Sequence, residues 1–308
     1  MKVRFILMVA GSLIFLIQEI SWAQTIFPKE EMIFLTSEWT GERFPDGRPR
    51  LPDELISRAE NIRVEEAWQI LHEQGYEYQY EGNWKRMHDD VTIVGRALTA
   101  EYMPIRPDLE KNITERAHEE GHEGRHLHWP INQLTRGDVY VADNAGREGS
   151  LMGDNLGNII YNRSGNGVVF DGFARDLPGL MEIDGFNAFV RDFGPKYLHG
   201  VLLMGLNSPV SIGEAIVLPG DLVIGDRTGV VFIPSHMAEQ VVSTVEFIAT
   251  VDTFKHAMIE ENRYGSHDLD SEWGDEIRDV FVRWVEQNPD QNQYTRSEVD
   301  EFMKIRTF

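Results

Sequence analysis

The chain has no cysteine among its 308 residues. Disulfide staples, thiol nucleophiles and cysteine metal sites are therefore excluded. Basic residues are scarce: 29 Lys and Arg stand against 51 Asp and Glu, for a formal net charge of −22. Nucleic acid and anionic membrane surfaces both need a basic face, so neither is an expected partner. Such an acidic surface mainly keeps a protein soluble. A small anionic substrate would need a locally positive pocket, which draws attention to single arginines in the core. A long apolar run is also missing at the N-terminus, where Phe5 to Ile17 falls well short of the ~20 residues a spanning helix needs. That run follows Lys2 and Arg4 and precedes Ser21-Trp22-Ala23. Charged n-region, short h-region and small-x-small site together make the pattern of a secretory signal peptide. Residues 1–23 are expected to be cleaved, giving an exported protein, periplasmic or secreted, with no membrane partner afterwards. No internal repeat or long low-complexity linker divides the remainder.

What is present centres on GDVYVADNAGREGSLMGDNLGNIIYNRSGNGVVFDGFARD, residues 137–176. Asp138 to Ala142 alternates apolar and polar residues and is rich in β-formers, which predicts a strand. Asn144 to Gly153 is glycine-rich without apolar period, hence a loop. Asp154 or Asn155 can cap a helix whose apolar face is Leu156, Ile159 and Ile160, ended by Gly165 and Gly167. Gly167-Val168-Val169-Phe170 is the next strand. A right-handed crossover makes the two strands parallel and brings the helix start and the end of the second strand to one edge of the sheet. Gly153-Asp154-Asn155-Leu156 and Arg175-Asp176 should then face each other across a crevice, at the edge where open α/β sheets bind ligands.

Around this unit the chain reads as additions to a core. Residues 24–51 carry Pro28, Pro45 and Pro49 without sustained period, which predicts an extended arm. Residues 52–75 predict two helices, the second stopped by Gly75. Val91 to Tyr102 is a strand, Gly185 to Pro195 another, and Ile212 to Pro234 a β-hairpin with turns at Pro219-Gly220-Asp221 and Asp226-Arg227-Thr228-Gly229. His236 to Ile259 is a helix with Ala238, Val241, Val242, Val245, Ile248 and Ala249 on one face. Residues 260–308 form an acidic, partly helical extension, with helices over Ile277 to Val285 and from Ser297.

The stretch Asp108 to His128 holds His118, His122, His126 and His128, and His118-Glu119-Glu120-Gly121-His122 matches H-E-x-x-H. Zinc chemistry from that motif needs one stable helix presenting both histidines and a third ligand. Gly121 and Gly124 interrupt the helix and its flanks are polar, so a solvated, histidine-rich segment beside the site is the expected outcome.

In the crevice, the amides of Gly153 to Leu156 can dock a small carboxylate. Arg175 offers a fork of donors. Asp176 can hold a hard divalent cation whose other positions are water and substrate oxygens. A metal chelated by a 2-oxo acid stabilises the enolate formed when the adjacent C–C bond breaks, and Asp154 can act as general acid or base. The same residues fit an ordinary reading: Asp154 as a helix cap, Arg175-Asp176 as a turn or surface ion pair.

Gly153-Asp154-Asn155-Leu156, followed by Arg175-Asp176 and then by PGDLVIGDRTGVVFIP at 219–234, resembles the RraA-like family, which includes the 4-hydroxy-4-methyl-2-oxoglutarate aldolases. The similarity spans residues 52–259. It implies an α/β chain with the three-layer β/β/α fold of swivelling domains, assembled as a homotrimer or a pair of trimers. It also implies Mg²⁺- or Mn²⁺-dependent retro-aldol cleavage of a 4-hydroxy-2-oxo acid to pyruvate, with oxaloacetate decarboxylation as a side activity. Carried over, Gly153, Asp154, Asn155 and Leu156 bind the substrate carboxylate and Asp154 prepares the acid/base water. Arg175 contacts substrate, and Asp176 holds the metal. The family's non-catalytic regulators of ribonuclease E lack the aspartate after the arginine; this chain has it. An assisting lysine has no aligned position, leaving Lys196 and Arg191 as candidates. The alternative is an exported binding or assembly protein that keeps the fold without catalysis.

Overall fold

The computed structural model describes residues 27–305, so the expected signal peptide lies outside the described residues. Among those described, no helix is long and apolar enough to cross a membrane. The arm is not extended throughout. After Pro28 it forms helix α1 (Lys29–Leu35), then turns back so that Arg48 is buried. Helices α2 (Asp53–Ala59) and α3 (Val64–Glu73) follow as expected, each with acidic residues in its first turn, where the helix dipole favours them. Gly75, at φ +87, turns the chain out of α3.

Short strands β1 (Tyr80–Glu81) and β2 (Lys85–Arg86) lead into the long β3 (Ile93–Pro104). Helices α4 (Pro107–Glu119) and α5 (His128–Gln133) then precede the central unit: β4 (Asp138–Asp143), α6 (Asp154–Ser164) and β5 (Val168–Ala174). After a single turn of helix, α7 (Leu177–Leu180), come β6 (Ala188–Phe193), β7 (Val201–Leu206), β8 (Val210–Ile212) and β9 (Ala215–Val217). The hairpin β10 (Leu222–Gly225) and β11 (Val230–Ile233) closes the β region. Helix α8 (Ala238–Glu260) opens the helical end, followed by α9 (Ser266–Asp270), α10 (Asp275–Gln287) and α11 (Arg296–Ile305).

The main sheet runs in the order β1-β11-β10-β3-β4-β5-β6-β2, with β7 pairing to the far end of β3. Strands β3, β4, β5 and β6 are mutually parallel, and the remaining pairs are antiparallel. Alternate residues go to opposite faces, the period of two that any strand imposes. Leu98, Ala100, Tyr140, Ala142, Val168 and Phe170 pack under α5, α6 and α7. Their neighbours Ala97, Val139, Val141 and Val169 pack under the separate β8–β9 hairpin. Helices on one face and a small sheet on the other make the three layers, β/β/α.

Three expectations change in detail. The face of α6 is Gly157, Ile160 and Ser164, while Ile159 is exposed. Helix α8 has two apolar sides. Ala238, Val241, Val242 and Val245 meet the sheet layer, and Phe247, Val251, Phe254 and Met258 meet the C-terminal helices; Ala249 is exposed. The C-terminal extension is therefore packed, with Trp273, Phe281 and Val299 buried against α8. Burying a large side chain contributes about 1.5–3 kcal/mol each, so this cluster holds down a segment whose acidic sequence gives little hint of it.

Candidate active site

The crevice forms where the crossover unit requires it. Strand β5 ends at Ala174, and the chain leaves it through Arg175 and Asp176. The approach to α6 lies alongside: the Leu151 amide donates to the Phe173 carbonyl at 3.0 Å, and the Arg175 amide to the Met152 carbonyl at 3.1 Å. On its other side Ser150 accepts at its carbonyl from the Leu198 amide and donates through its own amide to the Lys196 carbonyl. Residues 150–152 thus form a short strap between β5 and the 194–198 loop, and the strap delivers Gly153 to the Arg-Asp pair.

Gly153 is the residue before the first turn of α6, so it, rather than Asp154 or Asn155, occupies the cap position. No side chain caps this helix end. Asp154 is instead the first helical residue, and its Oδ1 accepts from the Asn155 amide at 2.7 Å. First-turn amides lack intrahelical acceptors, and those of Asp154 and Leu156 have none among the described residues. A Cβ on Gly153 would fall closer than 3.0 Å to Asp176 Oδ2, and one on Gly179 within 3.0 Å of the Asp154 side chain. Both glycines are there for close approach: each lets a carboxylate stand against backbone.

Asp176 has a left-handed backbone, φ +57 and ψ +39, at the cap of α7. Aspartate enters that region more readily than most residues. Its carboxylate lies 3.6 Å from Arg175 Nε, and the two side chains are 42% and 44% exposed. Among the described residues no hydrogen bond ends on that carboxylate. This is an ion pair with open lone pairs and free guanidinium donors.

A cleft of 380 Å³ opens at this point. Gly153, Asp154, Asn155, Leu156 and Arg175 line it, with Ser150, Met152, Tyr197 and Leu198. Asp176 is not in the wall itself; it stands behind Gly153 and beside Arg175. The six candidates from the two distant motifs are therefore brought together. Sequence reasoning missed Arg125 and Leu127, which close the cleft from the histidine-rich segment. The available signal was an arginine embedded in a stretch already expected beside the site.

That segment is less solvated than expected. Helix α4 stops at Glu119 and Gly121 takes φ +85, so His118 and His122 do not sit on successive turns of one helix. His122 and His126 pack their rings on buried Trp129, at 5.7 and 6.3 Å between centroids. Burial chiefly, with Arg125 nearby, lowers the His126 pKa. His128 Nδ1 accepts from the Arg125 amide at 3.3 Å. The histidines shape the knot that holds Arg125 and Leu127 at the cleft.

Neither candidate for an assisting lysine is placed to assist. Lys196 adjoins Tyr197 at the rim, but its side chain is 72% exposed and its ammonium is paired with Glu148. Arg191 is bound to Asp171 and Glu81 and lies over the Trp84 ring. For a metal, the donor set suits one ion type. Among the described residues no three acidic or histidine side chains converge on a point, which does not suit zinc. A Mg²⁺-like ion keeps several waters and takes one or two carboxylates, a demand that Asp176 meets.

The profile described as "RraA-like: Aldolase/RraA" matches residues 55–232. The chain belongs to the RraA-like family. A Halalkalibacterium halodurans protein provisionally named 4-hydroxy-4-methyl-2-oxoglutarate aldolase is 28% identical over 131 residues, 42% of this chain and 62% of its own length. An uncharacterized Methanocaldococcus jannaschii protein is 32% identical over 82 residues, 27% of this chain and 39% of its own length. The chain thus spans less than two thirds of either curated relative. Two crystal structures share the fold. RraAS2 of Streptomyces coelicolor, described as an unusual member of the RNase ES inhibitor RraA protein family, aligns with TM-score 0.57 and 24% identity over 68% of this chain and 98% of its own. An uncharacterized Pseudomonas syringae protein aligns with TM-score 0.58 and 19% identity over 72% of this chain and all of its own, 100%.

Proposed function

We propose that the cleft at Gly153–Leu156 and Arg175–Asp176 cleaves the bond between the third and fourth carbons of a small 2-oxo acid, one carbon beyond the carbonyl, releasing pyruvate. The observation that carries this reading is the Asp176 carboxylate. It is held in a left-handed turn against a glycine, beside an arginine, and keeps its oxygens free. The relative named as an aldolase supports the reaction class.

Asp176 would hold a Mg²⁺ or Mn²⁺ ion, which would supply positive charge to stabilise the negative charge that develops on the substrate. The chain's own residues do the rest. The amides of Asp154 and Leu156 receive the substrate carboxylate, with the partial positive charge of the helix start behind them. Arg175 fixes the orientation through paired donors. Asp154, directly or through water, takes the proton from the 4-hydroxyl as the bond breaks and returns one to the product carbon. Leu127, Leu198 and Met152 exclude bulk water on the apolar side. A 4-hydroxy-2-oxo acid such as 4-hydroxy-4-methyl-2-oxoglutarate fits this order of events. Oxaloacetate fits it with carbon dioxide as the leaving fragment and no hydroxyl proton to remove.

The test is pyruvate release from oxaloacetate and from a panel of 4-hydroxy-2-oxo acids. We expect turnover that needs Mg²⁺ or Mn²⁺ and stops with chelator. No metal-dependent turnover on any member would overturn the lyase reading and leave a binding protein. Export and assembly belong to the same proposal. N-terminal sequencing of secreted protein should begin at Gln24, and light scattering should give the mass of a trimer or two trimers.

A further inference from the structure

A second cavity, of 630 Å³, opens at the far edge of the sheet. It lies between α3, the chain entering edge strand β1 and the turns that precede β9 and β11. Five strand steps separate β1 from β5 in the sheet order, about 24 Å, so this cavity is separate from the cleft. Its volume is in the range of small-molecule sites.

Three aromatic rings, Trp68, Tyr78 and Tyr80, and three carboxylates, Glu65, Glu77 and Glu214, line it, and no lysine or arginine does. These residues are 36%, 60% and 38% exposed, although they carry large aromatic side chains. Two of them are fixed in place. The Tyr80 hydroxyl donates to the Thr228 carbonyl at 2.7 Å, and Trp68 stacks on His72 with centroids 4.9 Å apart and planes 17° off parallel. A fixed ring presents its negative face without losing side-chain freedom on binding. The surrounding potential is negative as well: burial first, and then Asp226, Glu65 and Glu81, raise the Tyr80 hydroxyl pKa.

Such a wall repels anions and offers neutral ligands few hydrogen-bond donors. Among the described residues no three acidic side chains converge on one point, which does not suit zinc, and aromatic rings offer no partners to the water shell that a Mg²⁺-like ion keeps. Carboxylates and aromatic rings lining one cavity match a cation whose charge is diffuse and whose shell is apolar. Aromatic cages recognise quaternary and methylated ammonium groups by that combination.

We propose that this cavity binds a small organic ammonium ion, a quaternary or methylated amine. The proposal stands apart from the lyase reading and can fail without it.

Calorimetric titration of the purified protein with choline and with its uncharged isostere 3,3-dimethylbutan-1-ol tests it. Choline should occupy one site about tenfold more tightly than the alcohol. Its affinity should drop about tenfold in the Glu65→Gln/Glu77→Gln/Glu214→Gln variant and also in Trp68→Leu, while the triple variant leaves the alcohol unchanged. All four side chains are exposed, so these variants should keep the wild-type circular dichroism spectrum. Absence of choline binding, equal affinity for the two compounds, or undiminished choline binding in the triple variant would overturn the proposal.

Discussion

Asp138 and Asp176 sit at opposite ends of the parallel strands, each with arginine beside it, and they are treated in opposite ways. Asp138 is fully buried. Arg48 reaches it from the arm with two hydrogen bonds, at 2.9 and 3.2 Å, and Thr135 donates both its amide and its hydroxyl at 2.9 Å. Arg96 adds a contact at 3.6 Å. Both oxygens are engaged, by four hydrogen bonds in all, so the residue pins the arm to the start of β4. Asp176 keeps its oxygens open to solvent, with one arginine nearby and a glycine making room. A saturated carboxylate is a structural part; one held in place but left unsaturated is available to a ligand. Asp221 is a third case, buried against only two backbone amides, Leu218 at 2.8 Å and Ser235 at 3.2 Å, with no cation.

Substituting the two aspartates should separate stability from activity. Asp176→Ala is expected to lower kcat/KM at least about a hundredfold, beyond what outer partners of a metal usually contribute. It should cost no more than about 1 kcal/mol in a denaturant titration. Asp138→Ala should show the reverse. Leaving Arg48 buried without its counter-ion, while Arg96 keeps Asp53 at 2.8 Å, is expected to cost about 3–5 kcal/mol, with kcat/KM of the folded fraction nearly unchanged. Equal loss of stability in both variants would break the comparison.

Gly153→Ala should rank next. Its new Cβ displaces the Asp176 carboxylate, and a shift of about 1 Å at a reacting centre costs on the order of a hundredfold in rate. Steady-state kinetics would show this as a fall in kcat with the melting temperature little moved. Arg175→Lys keeps the charge but loses the paired fork, so KM should rise about tenfold.

Asp221, whose pKa burial pushes up to about 7 from the usual 3.8, tests the comparison through pH rather than through substrate. The folded chain holds this proton more tightly than the unfolded one. Its stabilising contribution is therefore complete below 3.8 and is lost as pH rises through about 7. Melting temperature should fall between pH 5 and pH 8, and Asp221→Asn should flatten that trend. An unchanged slope in the variant would assign the trend to the general negative charge.

The order of strands and helices was legible because local signals agreed. Gly165 and Gly75 stop helices where left-handed residues were needed, and the apolar run Val168-Val169-Phe170 suited a sheet covered on both faces, whereas the alternation read in β4 understated its burial. The site was legible for the same reason: a βαβ unit leaves no freedom about which ends meet. What stayed hidden depends on distant packing. Arg48 reads as one more charged residue in a proline-rich arm until Asp138 is seen beneath it. The C-terminal helices read as a tail because Phe247 and Phe254 lie on a second face of α8 that no single period reveals. Arg125 was hidden because its position rests on His122, His126 and Trp129 folding into a knot, and that contact has no signature in spacing.

The central claim, that Asp176 is held open for a divalent cation, is tested most directly by Mn²⁺ binding followed by electron paramagnetic resonance. Wild-type protein should take up one Mn²⁺ per chain, Mg²⁺ should compete for it, and Asp176→Ala should lose it. Mn²⁺ bound with the same affinity and spectrum in wild type and Asp176→Ala would contradict the account.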